Sequence, residues 1–240
     1  MSGAGQASEN PPSKLSSAKY EAATVEELGG LQTYIAGPRD SKTAIILLSD
    51  AYGYEGPKIR RLAENVAEET GFLVVVPDFF RGDPIDSIRD RAEWLRTHTA
   101  DKGCEDAMAV IAALKSKGVS TIGVAGFCWG GMTVVKLARY DSSQVAVILH
   151  PGPITEDDIR EVKVPIALLG AETDHLCPPE LLTKLNGILT EKPEVNNFLK
   201  IYPGVKHGWT LQYSDDDEFA VKMAKEAHTD MLNWLTKHVK

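Results

Sequence analysis

Val119-Ser120-Thr121-Ile122-Gly123-Val124-Ala125-Gly126-Phe127-Cys128-Trp129-Gly130-Gly131-Met132 is the stretch from which the fold can be read. Its first half is apolar and rich in β-branched residues, the composition of a strand. The residues that follow, 132–140, can be helical. Between them lies Gly126-Phe127-Cys128-Trp129-Gly130. A strand, a sharp turn with small residues two before and two after a reactive side chain, and a helix together describe a nucleophile elbow. Such a turn is strained, and it lifts one side chain to the C-terminal edge of a sheet at the start of a helix. Here that side chain is the Cys128 thiol, where most elbows carry a serine. A plainer reading fits the same residues: Cys128 as a small, buried, inert residue of a glycine-rich turn. The rest of the chain bears on the choice.

Working outward, apolar runs of strand length recur at 44–49, 72–76, 121–125, 145–149, 166–169 and 198–202. Segments with helical spacing lie between them, at 58–69, 89–98, 105–117, 132–140 and 180–189. A last helix is predicted over about 218–239, where Phe219, Met223, Ala227, Met231 and Trp234 recur on one face. Strands that are apolar throughout predict a sheet covered on both faces. Strand–helix alternation predicts that the sheet is mostly parallel. Residues 30–36 alternate instead and run into Gly37-Pro38, so they predict an antiparallel edge strand. No repeat or linker divides the chain. Residues 1–18 are expected to form a flexible polar tail and 19–240 a single α/β domain.

The 240 residues are 43% hydrophobic and carry a net charge of −8. That is enough chain for one large core, and the acidic balance argues against nucleic acid as a partner. No apolar run approaches the roughly 20 residues of a membrane span, and the polar N-terminus does not read as a secretory signal. Three cysteines do not make a disulfide framework in a chain of this length. A reducing, cytoplasmic location is therefore expected. No phosphate-binding glycine loop is present and the histidines do not fall at zinc spacings, so neither a cofactor nor a metal is expected. Asp215-Asp216-Asp217-Glu218 reads as a solvated acidic start to the last helix.

Sites in such sheets lie outside the carboxyl ends of the strands. Three residues pass that test: Cys128, then Asp174 after the strand at 166–169, then His207 after the strand at 198–202. The chemistry needs these types. An imidazole can take the thiol proton and later deliver one to a leaving group, and a carboxylate fixes the imidazole tautomer. Nucleophile, acid, base is the chain order of the α/β-hydrolases. The loop Ser49-Asp50-Ala51-Tyr52-Gly53 follows an earlier strand, and fold logic assigns the N–H groups of Ala51 and Trp129 to an oxyanion hole. His150 ends another strand, and Tyr52, Phe79, Phe80, Trp129 and Trp209 lie at strand ends where aromatic rings could wall a pocket.

From Gly29 to the C-terminus the chain resembles the dienelactone hydrolases, or carboxymethylenebutenolidases, and most closely their plant-type relatives. The marks are Gly-Phe-Cys-Trp-Gly-Gly at 126–131, the Asp174 loop, His207-Gly208-Trp209 and Val-Pro-Asp-Phe-Phe-Arg at 76–81. The resemblance implies an α/β-hydrolase fold without a large cap. It implies Cys128 as nucleophile, His207 as base, Asp174 as its orienting acid, and Arg81 as a ligand for a substrate carboxylate. Many members carry a Glu that contacts the resting thiol where this chain has Asp50. Many carry an Arg after the triad histidine, about where Gln212 falls. A neutral amide cannot form a bidentate charge pair with a carboxylate, so a less charged lactone or ester is expected here.

The expected function is thiol-dependent hydrolysis of a small-molecule lactone or ester, in a monomer or weak homodimer. Asp50, Tyr52, Arg81, His150 and Trp209 are expected to contact the substrate. Three alternatives remain: a ligand-binding protein with little turnover, a cyclase or isomerase built on the same site, and a glycoside hydrolase. The last needs a pair of carboxylates across a cleft, and among Glu55, Asp78, Asp83 and Asp86 no spacing singles out a pair.

Overall fold

The computed structural model describes residues 22–86 and 88–239. The expected tail lies outside the described residues. Eight strands form one sheet in the order β1-β2-β4-β3-β5-β6-β7-β8. They are β1 (Thr24–Leu28), β2 (Leu31–Ala36), β3 (Thr43–Leu48), β4 (Leu73–Pro77), β5 (Thr121–Phe127), β6 (Val145–Leu149), β7 (Ile166–Thr173) and β8 (Asn197–Lys206). From β4 onward all neighbours are parallel, while β1 and β2 run antiparallel. The helices are α1 (Pro57–Thr70), α2 (Arg91–Thr97), α3 (Ala100–Ser116), α4 (Trp129–Leu137), α5 (Glu156–Arg160), α6 (Pro179–Thr190) and α7 (Glu218–His238).

The unbroken apolar strands are buried on both faces, as their composition demands. Successive residues of β3 divide between two cores: Ile46 and Leu48 face one, Ile45 and Leu47 the other. The first core takes α3, α4, α5 and α6 through residues such as Val110, Val134, Ile159 and Leu185. The second takes α1 and α7 through Leu62, Val66, Met223 and Met231. Each such side chain, once buried, contributes about 1.5–3 kcal/mol. The longest connection between consecutive strands is 78–120, which holds only α2 and α3, so no cap domain is inserted among the described residues.

Four features depart from the sequence reading. The strand at 31–36 is antiparallel but not the sheet edge, because Thr24–Leu28 pairs outside it. That outer strand, Thr-Val-Glu-Glu-Leu, is mostly exposed and carries no apolar run to announce it. It turns onto β2 through Gly29 and Gly30, at φ +61° and +82°. The short helix α5 was also not read; its start is fixed by a capping box between Thr155 and Asp158. Helix α4 begins at Trp129, directly on the elbow and not at 132. In α7 the expected stripe is buried except for Phe219, which is 50% exposed.

Candidate active site

The parallel order sets the carboxyl ends of β3, β5, β6, β7 and β8 side by side, and the predicted residues follow those ends. Cys128 joins β5 to α4 with φ +50° and ψ −105°, a backbone region an L-residue enters only under constraint. The glycines around it explain how the constraint is met. A Cβ on Gly126 would lie 2.1 Å from the Gly130 carbonyl oxygen, and one on Gly130 would lie 2.2 Å from the Leu48 oxygen. The backbones of β5, α4 and β3 therefore meet without intervening side chains. The Cys128 N–H donates to the Leu149 carbonyl at 3.1 Å, and its carbonyl accepts from the Gly131 and Gly152 N–H groups, each at 3.0 Å.

Asp174 and His207 come from the ends of β7 and β8. The carboxylate Oδ2 of Asp174 lies 2.7 Å from His207 Nδ1. Its other oxygen accepts from the N–H groups of Leu176 at 2.9 Å and Cys177 at 3.2 Å. Burial disfavours the Asp174 charge, but His207 and these two N–H groups outweigh it and hold the carboxyl below its ordinary range. Burial likewise disfavours a charged His207. The Asp174 carboxylate and the Cys128 thiol overcome that cost and lift the imidazole to about 9. His207 Nε2 makes no hydrogen bond of regular geometry among the described residues, yet Cys128 is close enough to act on its proton affinity. All three cysteines are free; burial raises the Cys177 thiol to about 12 and raises Cys104 as well.

Cys128 and His207 open into a cavity of about 520 Å³ whose other walls include Asp50, Tyr52, Arg91 and Leu176. Asp50 is 5% exposed. It accepts from Gln212 Nε2 at 2.6 Å and from the Tyr52 N–H at 3.1 Å. Burial raises its carboxyl, a shift that Gln212 and the Tyr52 N–H oppose. Neither the Ala51 nor the Trp129 N–H donates a hydrogen bond among the described residues.

Several expected contacts fall elsewhere. Arg81 does not reach the cavity: its guanidinium donates to the Gly30 carbonyl at 2.9 Å and to Asp106 at 3.0 Å. His150 and Trp209 stand behind His207 and are not exposed to substrate. His150 is fully buried, with its ring 5.1 Å from those of both His207 and Trp209. Its Nε2 lies 2.6 Å from the Thr210 hydroxyl, and burial drops its basicity to about 3. Phe79, Phe80 and Trp129 form a buried aromatic cluster with Trp94, and the Trp129 indole donates to the His98 carbonyl at 2.7 Å. Of the expected aromatic wall only Tyr52 lines the cavity.

Arg91 is the cation that sequence reasoning did not find. It is the first residue of α2, after the cap residue Asp90, and so follows no strand end. No ion pair engages it among the described residues.

The model of the dienelactone hydrolase family matches residues 31–239. The chain belongs to the dienelactone hydrolase family. It is 38% identical over 194 residues to a maize endo-1,3;1,4-beta-D-glucanase, a match that spans 79% of this chain but 63% of the maize protein. It is 30% identical over 217 residues to the mouse carboxymethylenebutenolidase homolog, covering 87% of this chain and 88% of that one. Among solved structures, a Klebsiella pneumoniae protein assigned as a dienelactone hydrolase superposes with a TM-score of 0.74 at 19% identity, covering 90% and 98% of the two chains. That likeness establishes the α/β-hydrolase fold. The family membership makes the protein an ester or lactone hydrolase, as the resemblance implied.

Proposed function

We propose that the protein hydrolyses a lactone or small ester through a covalent thioester on Cys128, with His207 as base and Asp174 as the group that orients it. The observation that carries this is the 2.7 Å Asp174–His207 contact beside a thiol held on a strained elbow. The Cys128 proton passes to His207 Nε2 and the sulfur attacks the carbonyl carbon. The oxyanion is met by the unengaged N–H groups of Ala51 and Trp129, each worth roughly 3 kcal/mol in comparable sites. The C–O bond breaks and the leaving oxygen takes the proton from His207; in a lactone that oxygen stays tethered to the acyl chain. Water, deprotonated by His207, then attacks the thioester, and the C–S bond breaks to restore Cys128. Arg91 faces any anionic substituent of the substrate, the part expected of Arg81, while Asp50 offsets its charge.

The test is hydrolysis of p-nitrophenyl acetate, dihydrocoumarin and a dienelactone in ¹⁸O-labelled water by the wild type and by Cys128→Ala. The expected result is one solvent oxygen in the acid product and a loss of roughly 10³-fold or more in kcat/KM in the variant. Undiminished activity in Cys128→Ala would remove the nucleophile. Turnover without solvent oxygen would favour a cyclase or isomerase.

A second reading is motivated by the maize glucanase relative. Glycoside hydrolysis calls for two carboxylates across the scissile bond, and Asp50 is the one carboxylate lining the cavity among the described residues. Cleavage of a mixed-linkage β-glucan that survives Cys128→Ala would support that reading over the thioester route.

A further inference from the structure

Beside the reactive cavity lies a second compartment of about 410 Å³. The two share Asp50, Tyr52 and Gln212 in their linings, so they adjoin at the Asp50–Gln212 hydrogen bond. The thioester chemistry uses none of the residues peculiar to the second compartment. Its surfaces come from the start of α1, at Gly56, Pro57 and Ile59, and from the turn carrying Leu211 and Tyr213.

The charges around it are already committed. Lys58 pairs with Asp215, and its ammonium lies 4.0 Å over the Tyr213 ring. Both oxygens of Asp50 accept hydrogen bonds from within the chain. What remains on offer is the exposed surface of Pro57 and the Tyr52 ring, with the uncovered face of Tyr213 and the small exposed margins of the buried Ile59 and Leu211. Tyr52 stands 49% exposed at the junction, a large aromatic side chain left half bare where the compartments meet. An apolar cavity of about 150 Å³ suffices to hold benzene, so the space is ample for a ring.

Resting on the hydrolase reading above, we propose that this compartment is a substrate subsite for a neutral apolar ring, an aryl group in the simplest case, carried at a distance from the reacting carbonyl. The protein is then selective for esters or lactones with a second ring, and the small acyl substrates that fit the reactive cavity alone are its poor substrates. A ring seated there gains burial against Tyr52, Pro57 and the uncovered face of Tyr213 without displacing any ion pair.

Gly56 gives the test. A Cβ there would make only ordinary contacts, 3.6 Å from the Gly53 oxygen and from Ile59, and its φ of −52° suits any residue. Gly56 lines the compartment, so Gly56→Phe introduces a bulky side chain at its wall, and Gly56→Ala adds a methyl as a control. Two comparisons are made on each protein: ethyl 3-phenylpropanoate against ethyl acetate, with the ring on the acyl side, and 3-phenylpropyl acetate against ethyl acetate, with the ring on the alcohol side. A thermal melt establishes that each variant is folded. In the wild type and in Gly56→Ala, kcat/KM is expected to favour the ring-bearing ester about tenfold or more in at least one pair. Gly56→Phe is expected to lose that preference through KM. No preference in the wild type, or one that Gly56→Phe leaves intact in both pairs, would overturn the subsite. The readout is a ratio of substrates, so it stands or falls separately from the thiol: activity that survives Cys128→Ala sinks the thioester and leaves the selectivity measurable.

Discussion

At His207, two neighbours outweigh the cost of burial. Asp174 and the Cys128 thiol together lift the imidazole to about 9 against a desolvation that pulls the other way. A histidine whose folded value stands above the unfolded 6.5 contributes stability that is fully present below about 6.5 and lost as pH rises through about 9. The His207 ring, followed by NMR, is expected to titrate near 9 in the wild type. It should titrate at lower pH in Cys128→Ala, where one of its partners is gone. An identical value in both proteins would mean that the thiol does not interact with the base. His150 shows the opposite case: enclosed, with Nδ1 unpartnered among the described residues, it stays neutral, and its ring is inclined at 67° to that of His207. The sequence placed His150 at a strand end and could not say which way the ring points. Arg81 misled for a related reason. Its position after β4 satisfied the strand-end test, but a φ of +53° turns it toward Gly30 and Asp106.

At the level of elements, the elbow is where backbone geometry matters most. Gly130 touches the Leu48 carbonyl of a central strand, and that strand cannot yield without disturbing both its neighbours. Gly130→Ala is therefore expected to tilt α4 and lose about 1–3 kcal/mol of stability or more, with a drop in turnover. Both are read from a denaturant midpoint and a kcat measured on the same preparation. An unchanged midpoint would show that the strand and helix have more room than the contact implies. The elbow was legible because its glycines sit at fixed offsets from Cys128. The outer strand β1 was not, because two of its five residues are glutamate and its pairing depends on two left-handed glycines, not on apolar content. Helix α5 escaped because five residues are too few to show a period, and its capping box was the one signal available.

Across the whole molecule, the strand order does what the sequence could only imply. Asp50, Cys128, Asp174 and His207 span more than half the chain, yet all follow strands on the same side of one sheet. That much could be read from the alternation of apolar runs and helical spacing. The walls of the cleft could not, since Arg91, Tyr213 and the start of α1 converge on the site from helix ends and turns with no period of their own. In the thioester route the substrate's acyl group passes through Cys128. Acid-quenching the wild type and Cys128→Ser during turnover of p-nitrophenyl acetate, and locating the acetyl group by peptide mass spectrometry, tests that passage. The expected result is an acetyl on residue 128, released from the wild type by neutral hydroxylamine and retained as a more stable ester in Cys128→Ser. Turnover with no acetyl at residue 128 in either protein, or with the acetyl on another residue, would contradict it.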